Sequence, residues 1–198
     1  MVWCVSRSES RVAGLLSTVC LCCVLLATPA HGQEEAGRYH ATRYGAALLA
    51  GQAYDPRSIG LLLVQGQMLL DYGRVFRHHA PESLWLKLEA NAGLTTDGRQ
   101  RALISLNMLA LYYLPRYASG RWTPYVEAGI GLIYTDFRVA GQGLNVNFNP
   151  QAGVGVEYAL SSGSALTTAL RLHHVSNGNT YRANRGINSA LLMIGYLF

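Results

Sequence analysis

Apolar and polar residues alternate along most of this chain in stretches of about ten residues, and each stretch ends in a polar or glycine-rich break. Successive side chains of a β-strand point to opposite faces of a sheet, so this alternation predicts strands with one apolar and one polar face. We therefore expect an all-β fold of eight antiparallel strands. The predicted strands cover residues 39–51, 58–72, 82–94, 101–114, 122–134, 146–159, 164–176 and 187–198.

The alternation fits two kinds of barrel. A soluble, lipocalin-like barrel buries its apolar side chains inside, whereas a membrane barrel turns them outward to lipid and encloses the polar ones. The last strand favours the membrane barrel, because its apolar residues share one face and end on a C-terminal phenylalanine, as in bacterial outer-membrane barrels. These residues are Leu192, Ile194, Tyr196 and Phe198.

Backbone chemistry adds a second constraint. An open sheet edge in hydrocarbon would leave amide groups unpaired, so the eight strands should close into a ring. The interior of an eight-stranded ring is filled by side chains, which argues against an open porin. The charged residues with inward parity should pair with each other there; they are Lys87, Glu89, Glu127, Glu157 and Arg171.

The first residues of the chain read as a secretory signal. Arg7 and Arg11 precede an apolar stretch over residues 12–27, and small residues follow it. We expect a signal peptide over residues 1–32 and a barrel over residues 33–198; an uncleaved anchor helix is the alternative. The cysteines all lie in the signal segment. The low charged fraction, 14%, agrees with a surface that faces lipid, because soluble domains carry roughly 25%.

One segment carries candidate chemistry. His174 and Ser176 are two residues apart on the seventh strand, so they share the outward face, where polar groups are costly unless they are used. A histidine can take the proton of a serine hydroxyl during attack on an ester carbonyl. Asn188, on the antiparallel eighth strand, also faces outward and could orient the imidazole ring.

Other residues around this pair could assist. Asn177, Asn184 and the amides of the turn at Gly178 and Asn179 could donate to a developing oxyanion. Arg182 and Arg185 lie in the same connection and could hold lipid phosphates by charge-assisted hydrogen bonds. The simpler alternative is that Ser-Asn-Gly is ordinary turn chemistry and that these arginines are solvated loop charges.

The pattern His174-x-Ser176-Asn177, followed by Asn184 and Asn188, resembles the lipid A 3-O-deacylase (PagL) family. The resemblance implies an outer-membrane serine esterase, with its site facing the outer leaflet, that removes the ester-linked acyl chain at position 3 of lipid A. Ser176 would be the nucleophile and His174 the general base. The family has a glutamate at the position of Asn188, and on this basis Asn188→Glu should retain or raise activity.

The resemblance implies no metal or cofactor, and the adjacent histidine pairs of this sequence cannot chelate within a strand because neighbours point to opposite faces. The expected partners are lipid A or lipopolysaccharide, outer-membrane lipid and the barrel assembly machinery. The sequence leaves the oligomeric state undecided, with a homodimer as one alternative. Nothing in it suggests nucleic-acid binding. The second candidate function is a non-catalytic small outer-membrane barrel with a structural or binding role.

Overall fold

The computed structural model describes residues 41–161 and 163–198, so the predicted signal peptide lies outside the described residues. The described chain is almost entirely extended. Its elements are β1 (Arg43–Asp55), β2 (Ile59–Asp71), helix α1 (Tyr72–Phe76), β3 (Leu84–Thr95), β4 (Ala102–Tyr113), a 3₁₀ helix (Pro115–Tyr117), β5 (Trp122–Thr135), β6 (Val146–Phe148), β7 (Gln151–Ala159), β8 (Ala165–Val175) and β9 (Ile187–Leu197).

Strands β6 and β7 are two parts of one strand. Leu132 pairs with Phe148 and Gly129 pairs with Gln151, so the register against β5 is the same on both sides of the interruption. The interruption falls at Pro150, which lacks a backbone N–H and cannot donate to the ladder. The sixth predicted strand is therefore a single strand of the barrel that is interrupted at Pro150.

The strands form a closed antiparallel ring. Each strand pairs with its neighbours in chain order, and β1 pairs with both β2 and β9. The predicted eight-stranded barrel is thus confirmed. The connections 56–58, 96–101, 136–145 and 176–186 lie at one end, which we call the site rim. The opposite end, the terminal rim, holds the start of β1, the end of β9 and helix α1.

The first strand differs from its prediction. The predicted strand ended at residue 51, but Gly51 lies inside β1 and pairs with Leu61 and Leu191. A Cβ atom there would lie 2.1 Å from the carbonyl oxygen of Ala190. Gly51 therefore permits a close approach of two strands. The predicted connection at 52–57 is wrong, because β1 continues to Asp55.

The outer face of the barrel is apolar, as predicted. Aliphatic side chains on the outer face are exposed, among them Leu106, Leu170 and Ile194 at 61%, 56% and 60%. Residues one position away, such as Asn107 and Arg171, are buried inside. The interior is mixed, because buried aliphatic residues such as Leu49, Leu103 and Leu191 accompany the buried polar and charged ones. An apolar exterior around buried charges is the arrangement of a transmembrane barrel rather than of a lipocalin. Among the described residues, no helix is long and apolar enough to cross a membrane.

A compact charge network fills the middle of the interior. Arg171 donates to Glu89 at 2.6 Å and to Glu127 at 2.5 Å, and Lys87 contacts the same two carboxylates at 3.1 Å each. Four of the five predicted interior charges therefore pair with each other. The fifth, Glu157, pairs instead with Arg43 at 2.9 Å and with the hydroxyl of Tyr113, closer to the terminal rim.

Candidate active site

The imidazole of His174 is held from the neighbouring strand. His174 and Asn188 face each other across β8 and β9, and His174 Nδ1 lies 2.6 Å from Asn188 Oδ1. The backbone N–H of His174 donates to Pro150 on its other side, at 3.0 Å. His174 and Asn188 therefore form a non-hydrogen-bonded cross-strand pair. The side chains of such a pair lie closer together than those of a hydrogen-bonded pair.

Asn188 is held in turn by the first strand. Its side-chain N–H donates to Asp55 Oδ2 at 2.9 Å. Asp55 also accepts a hydrogen bond and ion pair from Arg185. The register between β1 and β9 shifts between Ala53 and Asp55, which forms a β-bulge beside Asn188. A row of polar groups thus runs from Arg185 through Asp55 and Asn188 to His174.

Ser176 lies just beyond the end of β8, with its backbone paired to Phe148. His174 and Ser176 are both partly exposed, whereas the intervening Val175 is buried. Within the part of the chain that the structure describes, Ser176 Oγ makes no hydrogen bond, including to His174. In ligand-free sites a catalytic hydrogen bond often forms only with substrate. His173, in contrast, is buried inside the barrel.

Gly186 provides the space that the imidazole occupies. The β8–β9 ladder pairs Val175 with Ile187, so continuing it by one residue sets Gly186 opposite Ser176. A Cβ atom on Gly186 would lie 2.6 Å from His174 Cε1 and 3.2 Å from its Nε2. The Nε2 side of the ring therefore lies beside Gly186, at the level of Ser176 in the ladder.

The connection after Ser176 is tied together by its asparagines. The backbone N–H of Asn177 donates to Asn184 Oδ1, the side chain of Asn177 donates to Ala183, and the side chain of Asn184 donates to Asn179. Asn177 is also buried, 1% exposed. These contacts give Asn177 and Asn184 a part in shaping the loop. The backbone N–H groups of Gly178 and Asn179 make no hydrogen bond with the described residues, so they are available as donors to an oxyanion.

The two candidate phosphate ligands differ. Arg185 is engaged with Asp55, whereas Arg182 is exposed and forms no hydrogen bond or ion pair with residues 41–161 and 163–198. Beside the imidazole, an open groove of about 360 Å³ runs along the outer surface. The groove is lined by Tyr54, Pro150, Gln151, Ala152, Leu172, His173, His174 and Asn188.

Sequence reasoning missed Asp55 and Gly186. Asp55 has the parity of the buried Ala53, and a bulge that redirects it leaves no clear mark in the sequence. Position 55 also lay outside the predicted strands, in the connection between residues 51 and 58. Gly186 stood next to the predicted start of the last strand, where a glycine is unremarkable. Among the described residues, no group of three or more His, Cys, Asp or Glu side chains could hold a metal ion.

Gly186→Ala offers a direct test of the imidazole position. The added methyl group would overlap His174, so we expect the ring to turn away and hydrolytic activity to fall at least about tenfold, as misplacement by an ångström does in other sites. Folding should be retained, because a single methyl group is added at the partly exposed rim. Gly66→Ala is the control, since a Cβ atom there meets nothing within 4 Å. Equal activity of both variants would contradict the placement of the ring.

A closed antiparallel barrel with an apolar exterior and buried charges in a filled interior is an outer-membrane β-barrel, and its outer face here carries a His-Asn pair next to a serine. The profile of the lipid A 3-O-deacylase (PagL) family matches residues 68–197, which is 130 of the 198 residues. The chain belongs to this family. Membership indicates a hydrolase of the lipid A deacylase class in the bacterial outer membrane.

Solved structures agree on the fold. The outer membrane enzyme PagL has a TM-score of 0.57 at 22% identity, over 76% of this chain and 97% of that one. Neisserial surface protein A has a TM-score of 0.58 at 15% identity, over 79% of this chain and 94% of that one. At these identities the likeness concerns architecture. Among curated protein sequences, none matches the chain.

Proposed function

We propose that this protein is a lipid A 3-O-deacylase that works as a serine esterase. Family membership supports the reaction class. The observation that carries the proposal is the 2.6 Å contact between His174 Nδ1 and Asn188 Oδ1 on the outer face of the barrel. A histidine oriented in this way beside a serine is the working part of a hydrolytic triad. The amide oxygen of Asn188 takes the orienting role of the family's glutamate.

These residues support a two-step serine-esterase reaction. Ser176 Oγ attacks the ester carbonyl carbon at position 3 of lipid A while His174 Nε2 takes the hydroxyl proton. The backbone N–H groups of Gly178 and Asn179 stabilise the oxyanion of the tetrahedral intermediate. Its collapse breaks the bond to the sugar oxygen, which receives the proton from His174, and leaves an acyl ester on Ser176. Water, activated by His174, then releases the fatty acid and restores the serine.

The outward position of the site matches a lipid substrate. Side chains fill the interior of an eight-stranded barrel, so a glycolipid has to reach the site from the membrane. The groove beside His174 is lined in part by Ala152 and Leu172, which suit an acyl chain. We place the site rim at the outer leaflet, where lipid A resides. Arg182 is available there for its phosphate groups.

The non-catalytic barrel remains the second candidate, because Ser176 Oγ and His174 are not hydrogen-bonded to each other and asparagine replaces the family's glutamate. Mass spectrometry of lipid A from Gram-negative cells, with and without the protein, separates the two. We expect an additional lipid A species that lacks one hydroxyacyl group. Identical spectra from cells with a verified, folded barrel in the outer membrane would reject the esterase and favour the structural role.

A further inference from the structure

We propose that Asp55 is a positioning residue that sets the protonation pattern of His174 through Asn188. The inference rests on the proposed esterase function and assigns a role to a residue on the first strand. Asp55 lies outside residues 68–197, which match the family profile. The hydrogen-bonded row is Asp55 Oδ2 to Asn188 Nδ2, at 2.9 Å, and Asn188 Oδ1 to His174 Nδ1, at 2.6 Å.

The bulge in β1 is what makes this contact. In the regular part of the ladder, Ala53 pairs with Ser189, and both are buried inside the barrel. Regular alternation would place Asp55 on the same inner face as Ala53. The register shift inserts Tyr54 as an extra residue, so that Asp55 pairs with Asn188 on the outer face. Bulges often occur beside active sites, where they redirect a side chain.

The carboxylate determines which way the amide of Asn188 points. An ionised carboxylate can only accept hydrogen bonds, so the Asn188 NH₂ group has to face Asp55 and its oxygen has to face His174. That oxygen can only accept, so His174 Nδ1 has to carry the proton. Nε2 of the neutral ring is then the unprotonated nitrogen, which a general base for Ser176 requires. Without Asp55, the amide could turn its NH₂ group toward the ring and favour the opposite tautomer.

Arg185 supports this arrangement from the loop. Its guanidinium forms an ion pair with Asp55, and the side chains are 46% and 37% exposed. Solvent screens charges at such exposures, so Asp55 adds little direct electrostatic stabilisation of an imidazolium ion. Its effect is therefore one of orientation, passed on through the hydrogen bonds of Asn188. The ion pair with Asp55 thus gives Arg185 a structural role, as an alternative to the lipid-phosphate binding suggested by the sequence.

Asp55→Asn is the main test, because it keeps the shape but can no longer force the amide orientation. With purified protein in detergent and lipid A as substrate, we expect kcat to fall about 10- to 100-fold, as for other residues that orient an active-site ligand, with KM unchanged. Asp97→Asn is the matched control, since Asp97 also pairs with an arginine at the site rim, Arg101, at 3.1 Å. Wild-type kcat in Asp55→Asn would overturn the proposal.

A second pair of variants separates orientation from a structural role. Asn188→Glu alone sets a carboxylate beside Asp55, and like charges this close repel. We therefore expect lower activity than in the wild type, which reverses the expectation drawn from the sequence. In the Asp55→Asn/Asn188→Glu double variant, the new carboxylate contacts His174 directly and has an amide donor at position 55. We expect it to recover at least wild-type kcat. A double variant no better than Asp55→Asn would count against the positioning role.

The state of His174 can be measured without any turnover. In ¹⁵N-labelled protein in micelles above pH 8, the NMR chemical shifts of the histidine ring nitrogens report the tautomer. The signals that disappear in His174→Ala are those of this residue. We expect Nδ1–H in the wild type and Asp97→Asn, and loss of that preference in Asp55→Asn. An unchanged tautomer in Asp55→Asn would refute the inference. A wild type inactive on lipid A with this tautomer behaviour would instead reject the esterase function and leave the role of Asp55 supported.

Discussion

Ser176→Ala is expected to abolish deacylation of lipid A while leaving a folded, heat-modifiable barrel. In the proposed mechanism, the variant removes the oxygen that forms the acyl ester, and His174 then has no hydroxyl proton to take. Loss of a nucleophile or of its base typically lowers kcat by more than about 10³-fold. His174→Ala should be equally severe. Both are measured as released fatty acid from purified lipid A in detergent.

The two variants also test whether Ser176 and His174 act as one unit. Residues of a triad are strongly non-additive, so the double variant should be little slower than either single variant. Ser119→Ala is the control, because Ser119 is exposed near the terminal rim, away from the site. Full activity of Ser176→Ala would show that the nucleophile lies elsewhere. Additive losses would show that Ser176 and His174 act independently.

The second large effect concerns stability. Arg171 is fully buried, and its side chain neutralises Glu89 and Glu127 together with Lys87. Arg171→Met would leave the network with one uncompensated negative charge. Breaking a buried ion pair in this way costs about 3–5 kcal/mol. We expect a decrease of that size in the free energy of unfolding, measured by urea titration of the barrel in detergent micelles.

A charge-balanced variant separates charge from packing. Arg171→Met/Glu89→Gln removes one charge of each sign, so the remaining Lys87 and Glu127 still form a neutral pair. We expect it to regain a large part of the stability that Arg171→Met loses, because no unpaired charge stays buried. If the double variant were as unstable as the single one, the contribution of Arg171 would lie in its shape and not in its charge.

The barrel could be predicted because its pattern repeats. Alternation over about ten residues determines which side chains face lipid, and the need to pair backbone groups determines closure. Local exceptions were less accessible. Pro150 interrupts a ladder whose register does not change, and the first strand continues through Gly51, where the predicted strand ended. Both depend on the neighbouring strand, which a single sequence does not display.

The candidate site shows the same division. The outward placement of His174, and its juxtaposition with Asn188, follow from parity and from the antiparallel hairpin of β8 and β9. Asp55 could not be found in this way, because it comes from a strand more than 100 residues earlier in the chain and is turned outward by a bulge. The loop asparagines were recognised as a group, but their use in tying the loop depends on contacts that only the folded chain defines.

The pairing of β1 with β9 has a consequence for biogenesis. Ser176, His174 and Asn188 belong to the C-terminal β8–β9 hairpin and its connecting loop, so they can come together before the ring is complete. Asp55 reaches Asn188 only when the first strand meets the last. An incompletely closed barrel therefore holds the serine and the histidine but lacks the carboxylate that contacts Asn188. Under the role proposed for Asp55, the full hydrolytic rate is reached only after ring closure.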